Sequence, residues 1–367
     1  MEHRHSKIII SGGGTGGHIF PALSVANALK RIDNTVEILF VGAEGRMEME
    51  RVPAAGYRIE GLPVSGFIRK VTLRNLCVLK NLVKSMSLAG KIIDDFAPDV
   101  VVGVGGYASG PVLRVAGRKG IPTVIQEQNS YAGITNKLLA RRASVICVAY
   151  EGMDRFFPSE KIILTGNPVR HDISGTESKR EEGLRFFGLT GEKMTMLVLG
   201  GSLGSRTINN TILEGIDRIR EAGIQLVWQT GKYYYESIKS AAGGNDSVIY
   251  ITDFINRMDL AFASADLIVS RAGAGTISEL CIVGKPVVMV PSPNVAEDHQ
   301  TKNALSLTGK GAALLVSDSD APARLIDTVL ELSVDNDKMK SLAENISLYA
   351  IADADERIAR EVLKLAE

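Results

Sequence analysis

The sequence predicts an α/β protein made of two doubly wound domains, and three observations carry that reading. Two glycine-rich loops lie nearly two hundred residues apart: Gly12-Gly13-Gly14-Thr15-Gly16-Gly17-His18 follows Lys7-Ile8-Ile9-Ile10-Ser11, and Gly200-Gly201-Ser202-Leu203-Gly204-Ser205-Arg206 follows Met196-Leu197-Val198-Leu199. Short β-branched runs alternate with amphipathic stretches along the whole chain, the pattern of parallel βαβ units. The two halves also repeat one another. Asp99 to Gly106 parallels Asp266 to Gly273, Gly120-Ile121-Pro122 parallels Gly284-Lys285-Pro286, and Thr135-Asn136-Lys137 echoes Thr301-Lys302-Asn303, all at an offset of about 165 residues. Chance likeness between buried βα units is the alternative; three matches in one order at one offset favour related domains.

Length and composition agree. A chain of 367 residues exceeds one compact core and suits two domains. Lys plus Arg and Asp plus Glu both number 42, so nothing global points to a nucleic-acid partner, and any basic surface must be local. Cys77, Cys147 and Cys281 are scattered without CxxC spacing, which argues against a disulfide framework or a zinc site and fits a reducing compartment. The N-terminus runs into a four-residue apolar stretch that reads as a strand, not a signal peptide. No segment approaches the ~20 apolar residues of a bilayer span. His3 and His5 suit a metal in type, but a frayed tail accounts for them more simply.

In chain order, strands are expected near Ile8–Ser11, Val36–Val41, Tyr57–Glu60, Val100–Val104, Thr123–Gln126, Val145–Val148 and Lys161–Leu164. In the second half they fall near Met196–Leu199, Gln225–Thr230, Val248–Thr252, Leu267–Ser270, Pro286–Pro291 and Ala313–Val316. Several are unbroken apolar runs, as strands covered on both faces require. The domain boundary is expected near Gly166-Asn167-Pro168-Val169-Arg170, where Gly and Pro break the pattern. A helix from Asp355 to Leu365, with Ile358, Val362 and Leu365 on one face, follows the completed second domain.

The motifs narrow the chemistry. A strand, glycines and a helix start expose bare backbone N–H groups and a positive helix end to an anion. Two such loops suit two nucleotide-type domains facing across a cleft, one for a phosphorylated donor and one for a phosphorylated acceptor. Gly12-x-Gly14-x-x-Gly17 formally matches the dinucleotide fingerprint, and Glu44 stands near the place of a ribose-binding acid, so an oxidoreductase survives as a reading. No Lys-Ser/Thr pair follows the glycines, so a Walker loop does not. His18 puts a titratable imidazole at the loop, either as a general base or as a cap of the helix start. In Arg271-Ala272-Gly273-Ala274-Gly275-Thr276-Ile277-Ser278-Glu279, Thr276 and the helix-start N–H groups suit phosphate oxygens. Glu279 suits a ribose diol or, more plainly, a helix N-terminus. Ser202 suits a diphosphate; Arg206 either pairs with phosphate or covers its helix. Glu127-Gln128-Asn129 and Glu297-Asp298-His299-Gln300 follow equivalent strands, where polar side chains line the ligand crevice of an open sheet or simply solvate a loop. From Gly61 to Ile93 there is no acidic residue, while Arg69, Lys70, Arg74, Lys80, Lys84 and Lys91 mix with Phe67, Ile68, Leu73, Leu76, Leu79, Leu82 and Val83. That stretch reads as a membrane-surface or partner-binding element, or as a helix burying leucines and solvating lysines.

Together these residues resemble the MurG family, the UDP-N-acetylglucosamine–lipid I transferases of peptidoglycan synthesis. The likeness runs from Ile8 to the last helix. It is carried by Gly13 to Pro21, Gly103-Val104-Gly105-Gly106-Tyr107, Glu127-Gln128-Asn129, Gly166-Asn167-Pro168-Val169-Arg170, Gly200 to Arg206, Arg271 to Glu279, and Asp298-His299-Gln300-Thr301-Lys302-Asn303-Ala304. It implies the GT-B fold: two Rossmann-like domains with a deep cleft. The acceptor and membrane domain would be 1–165 with the C-terminal helix 350–367, and the UDP-GlcNAc domain 166–349. It implies inverting transfer of GlcNAc to the C4 hydroxyl of MurNAc on undecaprenyl-diphospho-MurNAc-pentapeptide. The donor positions carry over to Thr15, Gly16, Gly17, Asn129, Arg170, Ser202, Ile255, Ala274, Gly275, Thr276, Ile277, Ser278, Glu279 and Gln300. Ile255 would meet the uracil through its backbone, Glu279 the ribose and Gln300 the GlcNAc. His18 would be the catalytic base, and Gly14, Gly105, Gly106, Tyr107 and Glu127 would lie toward the acceptor and its diphosphate. Gln126 replaces a His often seen before Glu-Gln-Asn, and His299 stands where some members have Gln; both put contacts at those positions in doubt.

The resemblance further implies a peripheral enzyme on the cytoplasmic face of the bacterial plasma membrane, seated through Phe67–Lys91, with other cell-wall synthesis proteins as partners. No cofactor is expected, and no Asp-x-Asp pair at either loop suggests an obligate metal. A GT-B epimerase or hydrolase of UDP-GlcNAc would release UDP without a lipid; an NAD enzyme would bind NAD and not UDP. The basic apolar stretch favours the transferase over the former, and the second glycine loop with Glu279 favours either over the latter.

Overall fold

The structure, a computed structural model, describes residues 5–64, 74–173, 175–201 and 203–367. The chain forms two compact units, Met1–Val169 with Asp353–Glu367, and Arg170–Ala352.

Unit 1 holds one parallel sheet of β1 (Lys7–Ser11), β2 (Glu37–Ala43), β3 (Arg58–Leu62), β4 (Val100–Gly103), β5 (Thr123–Glu127), β6 (Val145–Val148) and β7 (Ile162–Leu164), in the order β3-β2-β1-β4-β5-β6-β7. Unit 2 holds β8 (Thr195–Leu199), β9 (Gln225–Gln229), β10 (Ile249–Thr252), β11 (Leu267–Ser270), β12 (Val287–Met289) and β13 (Leu314–Leu315), in the order β10-β9-β8-β11-β12-β13. Every strand expected from the sequence is present, with ends within two residues. Ile8, Ile9 and Ile10 of β1 and Val100 to Val102 of β4 are fully buried, as strands sandwiched between helix layers must be.

The two sheets have one topology. Renumbered within unit 2, its order is that of the first six strands of unit 1. The strand order reverses beside β1, which pairs with β4 through Ile8↔Val100 to Ser11↔Gly103, and beside β8, which pairs with β11 through Leu267↔Met196 to Ser270↔Leu199. Both glycine loops leave the carboxyl ends of these strands, where an open α/β sheet binds ligands. A shared detail supports the internal repeat. Asp99 Oδ2 accepts the first N–H of β1 from Lys7, and Asp266 Oδ2 accepts the first N–H of β8 from Thr195, both at 2.8 Å.

The helix Ala354–Ala366 belongs to unit 1 and lies against the helix Gly16–Ile32. Ile358, Ala359 and Val362 join Ile8, Ile10 and Val100 in one core cluster, and Arg31 pairs with the buried Asp355 at 2.7 Å. Burying an Ile or Val contributes about 1.5–3 kcal/mol, so this helix is part of the domain's stability. Cys147 and Cys281 are free and buried, each thiol pushed up to about 12 by burial. Among the described residues, no helix is long and apolar enough to cross a membrane.

Candidate active site

In unit 1 the loop after β1 and the loop after β4 meet backbone to backbone. A Cβ on Gly106 would overlap the carbonyl oxygen of Gly13, so only glycine allows this approach. Gly105 lies under the His18 ring, where a Cβ would come within 2.7 Å of Cδ2 and 2.9 Å of Nε2. His18 sits in the first turn of the helix Gly16–Ile32, and its Nδ1 is 3.2 Å from the Thr15 hydroxyl. The imidazole is therefore tied to a side chain of its own loop. Thr15, Gly17 and Tyr107 are exposed around it.

Two expectations meet the domain's own hydrogen bonds. Gly14 was expected to lie toward the acceptor and its diphosphate, and its N–H donates to the buried Glu48 carboxylate at 2.9 Å. An anion already under the loop also opposes a dinucleotide phosphate. Glu127 was to face the acceptor, but it is buried and its oxygens are committed within the domain. Oε1 accepts from the N–H and Nδ2 of Asn129 at 3.1 and 3.3 Å, and Oε2 accepts from the Gly133 N–H and Asn136 Nδ2 at 3.0 and 2.8 Å. It shapes the 127–136 loop and holds Asn129 at the loop surface. Beside it lies a buried amide network that joins two of the sequence motifs. Gln126 Nε2 donates to Asn167 Oδ1 at 3.0 Å, Gln128 Nε2 donates to the Val104 carbonyl at 2.6 Å and to Gln126 Oε1, and Asn167 Nδ2 donates to the Gln128 carbonyl at 3.0 Å. Gln126 thus ties the ends of β4 and β5 to the Gly166–Arg170 segment.

In unit 2, Ser202 lies outside the described residues, but its loop is well anchored. Gln229, at the end of β9, donates from Nε2 to the Gly201 carbonyl at 3.2 Å, and its own carbonyl accepts the Gly200 N–H at 3.4 Å. Its Oε1 accepts the Ile255 N–H at 2.9 Å. With that N–H engaged, the backbone group of Ile255 left for the expected uracil contact is its carbonyl. Arg271 gathers the strand ends. It donates to the Val290 and Pro291 carbonyls at 2.9 and 3.0 Å and to Ser205 Oγ at 2.6 Å, and it pairs with Asp318 at 2.6 Å. Ser205 Oγ in turn accepts the Ile208 N–H and caps the helix that begins at Arg206, a residue left exposed.

The helix Ala274–Val283 starts at Gly273 with no side-chain cap and no acid in its first turn, so its N-terminus suits an anion. Within it the expected contacts divide. Ile277 is buried in the core, and Ser278 Oγ donates to the Ala274 carbonyl at 3.2 Å. Ala274, Gly275 and Thr276 remain at the helix start, with Glu279 one turn beyond Thr276 on the same face. Burial raises the Glu279 carboxyl to about 7; the Arg170 guanidinium draws it down and the Asp172 carboxylate pushes it up. Arg170 and Asp172 form an exposed ion pair at 3.0 Å. Gln300 Oε1 accepts the N–H groups of Ala272 and Ser292 at 3.2 and 2.8 Å, which leaves its Nε2 as the group to meet a sugar. Just before it, Glu297 and Asp298 both hold left-handed backbone (φ 54° and 55°), an uncommon conformation for non-glycine residues and one found at ligand loops.

Two like-ordered parallel sheets, each with a glycine loop at its reversal point, and a helix start with an acid one turn on are the frame of the two-domain α/β enzymes, and the family matches make this one a glycosyltransferase. The glycosyltransferase family 28 N-terminal domain matches residues 8–148, and the family's C-terminal domain matches residues 195–358. The chain belongs to this family and, within it, to the MurG family. It is 60% identical over 98% of its length to the UDP-N-acetylglucosamine–N-acetylmuramyl-(pentapeptide) pyrophosphoryl-undecaprenol N-acetylglucosamine transferase of Phocaeicola vulgatus, covering 96% of that protein. The enzyme of the same name from Cytophaga hutchinsonii is 54% identical over 99% of this chain and 98% of that one. The crystal structure of Acinetobacter baumannii MurG superposes with a TM-score of 0.81 at 26% identity, covering 98% of this chain and 99% of that one. A UDP-GlcNAc 2-epimerase from Neisseria meningitidis shares the fold alone, with a TM-score of 0.66 at 15% identity over 98% of this chain and 100% of that one.

Proposed function

We propose that this enzyme moves GlcNAc from UDP-GlcNAc to the C4 hydroxyl of MurNAc on undecaprenyl-diphospho-MurNAc-pentapeptide, turning lipid I into lipid II with inversion. The observation that carries this is full-length identity of 54–60% to enzymes bearing that name, on a fold with both glycine loops at the sheet reversal points. Unit 2 takes the donor. The helix start at Ala274–Thr276, together with Ser202 and Arg170, receives the diphosphate; Glu279 holds the ribose, the Ile255 carbonyl the uracil and Gln300 Nε2 the sugar. From unit 1, Thr15, Gly16, Gly17 and Asn129 are the positions read as donor contacts, and Gly105, Gly106 and Tyr107 those read as lying toward the acceptor.

In the transfer, the acceptor oxygen bonds to C1 of GlcNAc from the face opposite the diphosphate. The C1–O bond breaks and its electron pair leaves on UDP. His18 takes the hydroxyl proton; with Nδ1 tied to Thr15, Nε2 is the nitrogen that serves. Helix-start N–H groups and Arg170 stabilise the departing charge. Incubation with labelled UDP-GlcNAc, with and without a lipid I analogue, tests the reading. Sugar transfer only with the lipid supports it, and release of UDP without acceptor at the same rate overturns it.

The lipid-anchored acceptor requires approach to a bilayer surface through the Phe67–Lys91 stretch. Phe67, Ile68, Arg69, Lys70 and Leu73 lie outside the described residues. The helix Arg74–Phe96 follows, with Lys80, Val83, Lys84 and Lys91 exposed and Ala89, Ile92 and Ile93 buried. Each basic residue near an anionic leaflet contributes about 1 kcal/mol. Binding to anionic vesicles should fall in high salt, and charge reversal at Arg69, Lys70, Arg74 and Lys80 should weaken it while sparing turnover of a short soluble acceptor. Salt-insensitive binding overturns this placement.

A further inference from the structure

Under the first glycine loop lies a charged group that the chemistry above does not use. Glu48 opens the helix Glu48–Ala54 and is 1% exposed. Its Oε2 accepts the Gly14 N–H at 2.9 Å and its Oε1 accepts the Ala43 N–H, at the end of β2, at 3.0 Å. The carboxyl also fills the space that side chains would need beside the loop. A Cβ on Gly42 would lie 2.6 Å from Glu48 Cγ, and one on Gly13 would overlap the carboxyl itself. The loop is built around this group.

A strand–glycine–helix loop ordinarily leaves its N–H groups for a ligand's phosphate. Here one of them is used by the protein's own carboxylate. Charge-assisted bonds are roughly twice as strong as neutral ones, and a carboxylate in the first turn of a helix is further stabilised by the helix dipole. Glu48 therefore does what a bound anion does in a nucleotide loop: it orders the backbone, and does so before any substrate arrives. We propose that Glu48 is a positioning residue, an internal anion that locks the 12–17 loop in the conformation presenting Thr15 and His18. This rests on the reading of His18 as the base.

The test uses the whole enzyme with UDP-GlcNAc and a soluble lipid I analogue, comparing wild type, Glu48→Gln, Gly14→Ala, His18→Ala and the Glu48→Gln/His18→Ala double variant. Glu48→Gln keeps the shape but turns one acceptor into a donor facing an N–H. It should lower kcat about tenfold or more with donor KM within about twofold, and hydrogen exchange of the 12–18 backbone should quicken about tenfold. Gly14→Ala strains the same backbone (φ 88°) with no neighbour within 4 Å of the added methyl, and should show the same split without touching Glu48. Added to His18→Ala, Glu48→Gln should cost less than about threefold more, because both act through one group. Unchanged kcat in folded Glu48→Gln, equal losses in kcat and donor affinity, or full multiplication with His18→Ala overturns the proposal. If Glu48→Gln does not fold, Gly14→Ala decides by the same split. Normal kcat in His18→Ala alone refutes the base assignment instead; loop exchange then still decides whether Glu48 orders the loop.

Discussion

The two glycine loops share a strand, a bend and a helix start, yet the protein holds them by opposite means. The loop of unit 1 rests on a buried carboxylate, Glu48. The loop of unit 2 is held by a neutral amide, Gln229, and by Arg271 with its partner Asp318. The first loop thus has one of its own N–H groups taken by a carboxylate, while the second is fixed by an amide and a guanidinium. Unit 1 is left with a histidine beside a fixed backbone, and unit 2 with an open helix end and a protonatable acid.

The largest test of that contrast is His18→Ala. A general base adds about 10²–10⁴ in rate, so kcat should fall by that much with UDP binding nearly intact and the acidic limb of the pH–rate profile lost. A near-normal kcat with an unchanged profile would take catalysis away from the first loop.

Glu279 sharpens the other side. Losing hydrogen bonds to a charged group costs about 1.5–3 kcal/mol, so Glu279→Ala should raise donor KM roughly ten- to a hundredfold with the acceptor KM unchanged. In the proposed donor pose the ribose hydroxyls would donate to the ionised Glu279 carboxylate, and burial raises that carboxyl to about 7 in the free protein. Donor affinity should therefore rise from pH 5.5 to about 8, with proton release on binding, and Glu279→Gln should flatten that slope. The stability sign is the reverse. The folded carboxyl holds its proton above the ordinary value of 4.5, so it erodes stability as pH rises from there to about 7. Glu279→Gln should therefore gain in Tm relative to wild type at pH 8 more than at pH 5. A parallel Tm profile for both proteins would contradict the buried-acid account.

Gln229→Glu would give the second loop the charge of the first. The Ile255 N–H keeps an acceptor, the Gly201 carbonyl loses its donor, and a carboxylate appears beneath the diphosphate loop. Donor KM should rise about tenfold with little change toward the acceptor. Equal behaviour of Gln and Glu there would mean that loop charge does not divide the two sites. The smallest effect expected lies outside both loops. Ala97 holds a left-handed φ of 50° just past the helix Arg74–Phe96. Ala97→Gly should add about 0.5 kcal/mol, or about 1–2 °C in Tm, with kinetics unchanged.

What the sequence determined by itself was everything that repeats over short distances. Strands buried on both faces must be unbroken apolar runs bracketed by Gly and Pro, so Val100-Val101-Val102 and Val287-Val288-Met289 declare themselves. The glycine loops, the His18 position and the helix start before Glu279 are equally local, and so is the apolar face of the last helix. What only the tertiary structure decided is which polar groups meet. Glu48 is 34 residues from Gly14, Gln229 is 28 from Gly201, and Arg271 is 66 from Ser205. Glu127 read as a ligand group because a carboxylate after a strand looks the same whether it faces solvent or turns inward to four donors. Nothing local shows that Gln229 takes the Ile255 N–H. Burial forces every inward polar atom to find a partner, and the sheet order, not the chain order, decides which partner is within reach.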